Sequence, residues 1–271
     1  MKESTDDIVQ EQDFLWLQIL EMPYFRGLLR AVEAKFYQDI HLSDPILDLG
    51  CGDGHFASIA FGRKIDVGID PWTGPVKLAK KQDSYKFVIN GKGDHLPFPD
   101  GYFGSVISNS VLEHIEDLEP VLKEISRVTR PKANFVFCVP NHRFLRNLSI
   151  SNAFDKIRLK FLGDLYRKFF NRISRHHHCD SSNIWNDRLK LIGFTIDKGW
   201  DYFSPRATQA LEWGHYLGVP ALIFHFLFKR WILIPKKWNL KPIYTCLKKY
   251  YNEDMHQVNG SYSFYIAHKD S

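Results

Sequence analysis

Short apolar runs alternate with amphipathic stretches through the first half of this chain. The runs predict strands at 45–49, 65–69, 86–89, 103–108 and 134–139. Apolar residues at helical spacing predict helical material from about Ile8 to Tyr37, and 117–128 fits a helix after the fourth strand. Strands that alternate with helices are typical of an α/β fold with a doubly wound, mostly parallel sheet.

The alternation breaks after Asn141. It resumes with a helix near 184–191 and with strands near 194–202 and 261–268. We therefore predict one domain over residues 1–271, a length that suits a single α/β unit with insertions. Its predicted parts are a ligand-binding half at 44–141, helical cap insertions at 141–183 and 204–258, and the remaining sheet at 184–203 and 259–268.

The first strand runs directly into a loop with three glycines, Gly50, Gly52 and Gly54, and carries Asp48 two residues before the first of them. A backbone without Cβ atoms can turn sharply and let a ligand lie against it. The helix expected from about His55 points its free N–H groups at the same place. The loop is therefore a candidate ligand site.

A second acid, Asp70, ends the second predicted strand. In a doubly wound sheet, an acid at this position accepts hydrogen bonds from the ribose of a bound nucleotide. The dinucleotide fingerprint places its third glycine one residue later than Gly54, where this chain has His55. The spacing favours a nucleoside without a pyrophosphate, with S-adenosylmethionine as the candidate.

Further segments carry a resemblance to a known family. They are Gly91–Phe103 (GKGDHLPFPDGYF), Val106–Ile115 (VISNSVLEHI), Arg127–Pro131 (RVTRP) and Phe135–Asn141 (FVFCVPN). With the glycine loop, they resemble the class I S-adenosylmethionine-dependent methyltransferases, in the small-molecule group that includes the ubiquinone and menaquinone methylases. The resemblance implies a Rossmann-like sheet of seven strands, the last of them antiparallel. It also implies S-adenosylmethionine as co-substrate and a small-molecule or lipid-linked acceptor.

The resemblance assigns roles residue by residue. Asp48 and the loop residues Gly50, Cys51, Gly52 and Gly54 would hold the methionine portion. Asp70, with Pro71 beside it, would bind the ribose; Gly93, Asp94 and His95 would flank the adenine; Asn109 and Ser110 would border the sulfonium. The sequence departs from the family pattern in three places: Lys92 replaces an acid, Gly104 replaces an Asp, and Lys132-Ala133 replaces a Gly-Gly turn.

Two histidine features are candidates for chemistry. His114 follows the fourth strand and would accept a proton from the methyl acceptor, or else form a loop-fixing pair with Glu113. The run His176-His177-His178 closes the first insertion, and His177 is our candidate for lining the substrate pocket. We expect no metal, because consecutive side chains point in different directions and do not converge on one ion.

Cations are concentrated in the insertions. Residues 141–178 hold nine Lys or Arg against two acids, and no acid occurs between Glu212 and Glu253, a stretch with seven cations and many aromatics. One interpretation is an amphipathic cap with a solvated cationic face. The other is a surface for an anionic or amphiphilic acceptor, or for a membrane.

The segment 221–234 is apolar except for His225 and the pair Lys229-Arg230. It is too short for a transmembrane helix, which takes about 20 apolar residues. Packing into the cap is the favoured interpretation, and shallow insertion at a membrane interface is the alternative. We expect no specific nucleic-acid binding, since no motif for it is present.

The remaining expectations concern setting and competing functions. The four cysteines show no paired spacing, so we expect reduced thiols. The first residues, Met1 to Asp7, are polar and acidic, so we expect no signal peptide. Both features favour a cytoplasmic protein, with membrane association as an alternative. A non-catalytic module that keeps the fold, and a nicotinamide-dependent oxidoreductase, are the competing functions.

Overall fold

The computed structural model describes residues 12–228 and 230–271, and a seven-stranded sheet forms its centre. The strands lie in the order β3-β2-β1-β4-β5-β7-β6. Their bounds are β1 Ile46–Leu49, β2 Ile65–Asp70, β3 Tyr85–Asn90, β4 Phe103–Asn109, β5 Thr129–Pro140, β6 Phe194–Tyr202 and β7 Tyr262–Lys269.

Strand direction confirms the predicted fold class. The neighbours among β1 to β5 pair in parallel, whereas β7 is antiparallel to both β5 and β6. The chain order reverses between β1 and β4, which are adjacent and parallel. In open α/β sheets, ligands bind outside the carboxyl ends of the strands at such a reversal, and the glycine loop follows β1 at this edge.

Helices cover both faces of the sheet. Their bounds are α1 Phe14–Glu21, α2 Tyr24–Phe36, α3 His55–Ala60, α4 Thr73–Ala79, α5 Leu118–Val128, α6 Ser149–Lys156, α7 Lys160–Ser174, α8 Ser182–Leu191, α9 Pro205–Leu217, α10 Val219–Phe228 and α11 Lys237–Tyr251. Alternate residues of β1 face opposite sides: Ile46 joins the core under α1 and α2, and Leu47 joins the core under α5 and α8.

The N-terminal helical stretch is two helices rather than the single run predicted from Ile8 to Tyr37. Residues 8–11 lie outside the described part of the chain. Met22 has an extended backbone and Pro23 caps α2, as expected because proline disfavours the helical conformation in the residue before it. The break lets α1 fold back onto α2.

Strand β5 begins at Thr129, five residues before the predicted start at 134. Between Phe103 and Ser105 the register of β5 jumps from Thr129 to Asn134, and Lys132 takes a left-handed φ of 62° between them.

The glycine at position 104, one of the departures from the family pattern, has a steric reason. A Cβ on Gly104 would lie 2.5 Å from the carbonyl oxygen of Asp44.

The predicted insertions are helical. Residues 141–183 contain α6, α7 and the start of α8, and residues 204–258 contain α9, α10 and α11. None of the helices in the described ranges has the length and apolar character needed to cross a bilayer.

Candidate functional site

The loop after β1 contains three glycines in left-handed backbone conformations. Gly50, Gly52 and Gly54 have φ values of 81°, 55° and 80°, in the left-handed region that side chains disfavour. A Cβ on Gly50 would collide with Val111 at 2.4 Å, so this glycine brings the loop against the segment after β4. A Cβ on Gly52 would meet no heavy atom of the described chain within 4 Å. Gly52 therefore borders open space.

Asp70 connects the end of β2 to this loop. Its Oδ2 accepts a hydrogen bond from the Gly52 N–H at 3.0 Å, and its Oδ1 accepts one from the Trp72 N–H at 2.9 Å. Burial raises the pKa of the carboxyl. Each oxygen keeps further acceptor capacity, so the carboxylate can still receive ribose hydroxyls. Pro71, beside it, is exposed.

Asp48 lies deeper, in β1. It is buried, and Tyr85 Oη donates to its Oδ2 at 2.6 Å. Burial raises the pKa of Asp48 to about 6, against an opposing contribution from the Tyr85 hydroxyl. An ionised carboxylate in this position is therefore destabilised in the folded protein.

Replacing Asp48 by Asn should stabilise the protein at neutral pH. The folded pKa, about 6, lies above the unfolded value of 3.8, so the wild type loses stability as pH rises through this interval. The variant lacks this loss and should gain up to about 3 kcal/mol at pH 7.5, but nothing below pH 4. Urea denaturation at both pH values measures the difference.

Asp66→Asn is the matched control for that experiment. Asp66 lies in the neighbouring strand β2, and its pKa is shifted in the opposite direction to that of Asp48. Burial would raise the pKa of Asp66, but hydrogen bonds from Lys86 and the Ile46 N–H outweigh it and lower the pKa. This variant should lose stability at neutral pH. Equal effects of Asp48→Asn at both pH values would contradict the prediction.

The predicted adenine segment lies beside the end of β1. A Cβ on Gly93 would stand 3.1 Å from both Leu49 and Val121. Asp94 and His95 are exposed. Arg127 fixes the continuation of this segment by donating to the carbonyl oxygens of Leu96 and Phe98. The exposed pair therefore sits on an anchored loop that borders the site.

A buried carboxylate that sequence reasoning missed organises the end of β4. Glu33 of α2 has no exposed surface, and it accepts hydrogen bonds from Arg30 Nη1, Asn109 Nδ2, Ser110 Oγ and Tyr202 Oη at 2.6–2.9 Å. The side chains of the predicted residues Asn109 and Ser110 are thus bound to Glu33. Their placement at the sulfonium end stays a prediction.

Helices α1 and α2 contact the start of α3 and the end of β4. His55 Nδ1 at the start of α3 lies 3.2 Å from Glu21 Oε2 of α1, and Arg30 Nη1 of α2 donates to the Asn109 carbonyl oxygen at 3.2 Å. The sequence predicts a cap from the two insertions alone. The N-terminal helices thus contact residues beside the candidate site, a placement that no local pattern indicates.

His114 is held in one orientation after β4. Its Nδ1 lies 3.0 Å from the Arg175 carbonyl oxygen, so Nδ1 carries the hydrogen and Nε2 is the acceptor. Burial lowers the pKa of His114, and burial raises that of its neighbour Glu113 to about 8. The catalytic roles of His114 and His177 stay predictions: the structure brings His176, not the exposed His177, against His114, with ring centroids 5.3 Å apart.

Helix α10 is an exposed apolar element. None of its residues is buried against the described part of the chain, and Leu222, Ile223 and Leu227 are 55%, 55% and 61% exposed. The favoured interpretation of 221–234, packing into the cap, is therefore wrong for α10. The position of Lys229 lies outside the described residues.

Part of this chain is similar to known methyltransferases. Residues 47–137 match the family model described as a methyltransferase domain. A malonyl-acyl-carrier-protein O-methyltransferase of Yersinia pestis is 31% identical over 99 residues, which are 36% of this chain and 37% of that protein. A demethylmenaquinone methyltransferase of Streptomyces avermitilis is 30% identical over 119 residues, which are 43% of this chain and 48% of that protein.

The similarity to curated sequences is partial, whereas the similarity in fold spans the chain. Matches to the first curated relatives span 37%, 38% and 52% of those proteins. A geranyl diphosphate C-methyltransferase from Streptomyces coelicolor has a TM-score of 0.55 at 15% identity, over 92% of this chain and 82% of that one. A S-adenosylmethionine-dependent methyltransferase from Thermotoga maritima has a TM-score of 0.54 at 14% identity, over 91% of both.

Proposed function

We propose that this chain, whose residues 47–137 match the family model described as a methyltransferase domain, is a class I S-adenosylmethionine-dependent methyltransferase that transfers a methyl group to a small-molecule or lipid-linked acceptor. One observation carries the proposal most directly. The carboxylate of Asp70 accepts a hydrogen bond from the Gly52 N–H and is thereby held against the glycine loop. An acid and a glycine backbone thus lie together at the edge of the sheet where the strand order reverses.

The residues at this edge fit the co-substrate. Asp70 has acceptor capacity left for ribose hydroxyls, Gly52 borders open space, and Asp94 and His95 are exposed in the loop after β3. When bound, S-adenosylmethionine supplies a methyl group already activated by the positive sulfur. The task left to the protein is to align the acceptor and exclude water, and the Glu33 network keeps the β4 end rigid for that purpose.

Asp70→Ala should weaken S-adenosylmethionine binding by roughly 10-fold to 150-fold, because a lost hydrogen bond to a charged group costs about 1.5–3 kcal/mol. Titration calorimetry with S-adenosylmethionine and S-adenosylhomocysteine measures this. Asp66→Ala, in the same strand β2 but bonded to Lys86, is the control and should keep its affinity. Tight binding of a nicotinamide dinucleotide, with no heat from the sulfur nucleosides, would favour the oxidoreductase instead.

Methyl transfer itself separates an enzyme from a non-catalytic module of the same fold. The protein should transfer label from methyl-labelled S-adenosylmethionine to a component of a cell extract, and Gly52→Val should abolish the transfer. Binding of the co-substrate without any transfer, over fractions that include membrane lipids, would favour the non-catalytic alternative.

We propose that the enzyme works in the cytoplasm at an anionic membrane face, where α10 and the start of α11 would contact lipid. The four cysteines are free thiols. Exposed Leu222, Ile223 and Leu227 provide apolar surface on α10. Lys236, Lys237 and Lys241, all exposed, follow it, with Trp238 68% exposed among them. An apolar helix flanked by cations and an indole is suited to the interface of an anionic bilayer.

Substituting Ile223 and Leu227 together by Ser should reduce binding to vesicles of phosphatidylcholine with phosphatidylglycerol by more than about tenfold. Full burial of each apolar side chain in the membrane contributes about 1.5–3 kcal/mol to binding. Reversing Lys236 and Lys237 to Glu should have a similar effect, because each cation near the surface contributes about 1 kcal/mol. Flotation measures both.

The control pair is Leu191→Ser with Val258→Ser, which removes apolar side chains that are 80% and 87% exposed elsewhere on the surface. It should bind vesicles like the wild type. Binding should also fall with salt and be weaker on phosphatidylcholine alone, because screening shortens the reach of the charges. Equal loss in both serine pairs, or no vesicle binding by the wild type, would remove the membrane from the proposal.

A further inference from the structure

Three side chains with metal-ligating atoms converge from two separate loops. Glu113 and His114 come from the short 3₁₀ turn Leu112–His114 after β4, and His176 comes from the segment after α7. One ligating atom of each lies within 4.8 Å of the others, and His114 Nε2 stands 3.8 Å from Glu113 Oε1. The chain thus brings two imidazoles and a carboxylate to one point.

The carboxylate of Glu113 lacks the partner that its burial requires. The residue is 1% exposed, and no described residue donates a hydrogen bond to its Oε2. Buried polar atoms are almost always paired, and leaving such an atom without a hydrogen bond costs free energy. The other oxygen, Oε1, lies 3.8 Å from His114 Nε2, so the unpartnered atom belongs to a carboxyl group of the cluster.

The surroundings of the cluster orient its members. His114 Nδ1 is held by the Arg175 carbonyl oxygen at 3.0 Å, which leaves Nε2 with its lone pair facing Glu113. Metal-binding histidines usually have this arrangement, with the second ring nitrogen bonded to a backbone carbonyl or a carboxylate. The backbone carbonyl oxygen of Glu113 accepts a hydrogen bond from the His177 N–H at 2.7 Å, which ties the two loops together.

We propose that Glu113, His114 and His176 bind one divalent first-row transition ion of the zinc type. Two imidazoles and one carboxylate are a ligand set that zinc accepts, with a coordination position left open. An ion bonded at about 2.1 Å to each ligand would hold the ligand atoms about 3.4 Å apart. Binding therefore needs the 3.8 Å between His114 Nε2 and Glu113 Oε1 to shorten by about 0.4 Å, and the other two distances, at most 4.8 Å, to shorten by at most about 1.4 Å.

The histidine run contributes one residue to the cluster. Adjacent residues of the run do not converge on one ion, and of the three histidines His176 alone lies with Glu113 and His114. The partners of His176 come from a loop about 60 residues earlier in the chain, which spacing within the run cannot show. The ion would take the Nε2 lone pair of His114, the atom otherwise assigned to an acceptor proton.

The probe is Zn²⁺ itself, added to the full chain after chelator treatment. Titration calorimetry should show one ion per chain, and Co²⁺ in its place should give the visible absorption of a four- or five-coordinate site. His176→Ala and Glu113→Gln should weaken binding by more than about 100-fold, since even a lost outer-shell partner costs about 10–100-fold. His177→Ala, the exposed neighbour, is the control and should bind like the wild type.

Three outcomes would overturn the site: no saturable binding, equal losses in His177→Ala and His176→Ala, or unchanged affinity in Glu113→Gln. If Glu113→Gln does not fold, His114→Ala provides the same comparison, because its side chain is half exposed. S-adenosylmethionine binding is measured on the same samples, so failure of the metal site is distinguishable from failure of the proposed methyl transfer.

Discussion

Replacing Gly52 by Val should abolish S-adenosylmethionine binding in a protein that still folds. The residue has φ of 55°, where a side chain costs about 1–2 kcal/mol, and its Cβ would point into open space rather than into the described structure. The side chain would occupy the volume that the co-substrate needs. We expect affinity to fall by more than about 100-fold, with a modest fall in unfolding free energy. Calorimetry and urea denaturation measure the two effects.

Gly193 provides a matched control for backbone strain. It has φ of 75° in the turn between α8 and β6, and a Cβ there would also meet no heavy atom of the described chain within 4 Å. Gly193→Val should therefore lose similar stability and keep full affinity. If the two variants bind S-adenosylmethionine equally well, the glycine loop does not contact the co-substrate. Gly50 is unsuited to this test, because its Cβ would collide with Val111.

The sheet was predictable because its signals are local. Each buried strand is a short apolar run of its own, and the glycine loop with Asp48 and Asp70 lies within 25 consecutive residues. The early start of β5 was not predictable in this way. Residues 129–133 are polar or small, and only pairing of Thr129 with Phe103 across the sheet makes them part of the strand.

Contacts between distant segments explain what the sequence did not reveal. Glu33 is a charged residue in an amphipathic helix, where the usual expectation is a solvated side chain. Its donors Asn109, Ser110 and Tyr202 lie 76, 77 and 169 residues away. The exposure of α10 was not predicted because its residues are apolar. An apolar composition indicates burial, but it does not indicate which surface covers the helix.

Glu33→Ala should produce the largest loss of stability among these variants, about 3–5 kcal/mol. That is the usual effect of removing one partner from a buried ion pair, and here the loss also leaves Asn109 and Ser110 without their acceptor. Because domains of this kind have total stabilities of about 5–15 kcal/mol, the variant should be partly unfolded at moderate urea. Urea denaturation followed by circular dichroism measures the change.

Two further variants identify the network as the cause. Glu21→Ala removes a carboxylate that is 66% exposed at the end of α1 and should change stability by less than about 1 kcal/mol. Tyr202→Phe removes one donor, at about 1 kcal/mol, and combining it with Glu33→Ala should add almost nothing, because the tyrosine hydroxyl then has no acceptor to lose. Fully additive losses in this double-mutant cycle would mean that Glu33 and Tyr202 act independently, and that the end of β4 is held by packing instead.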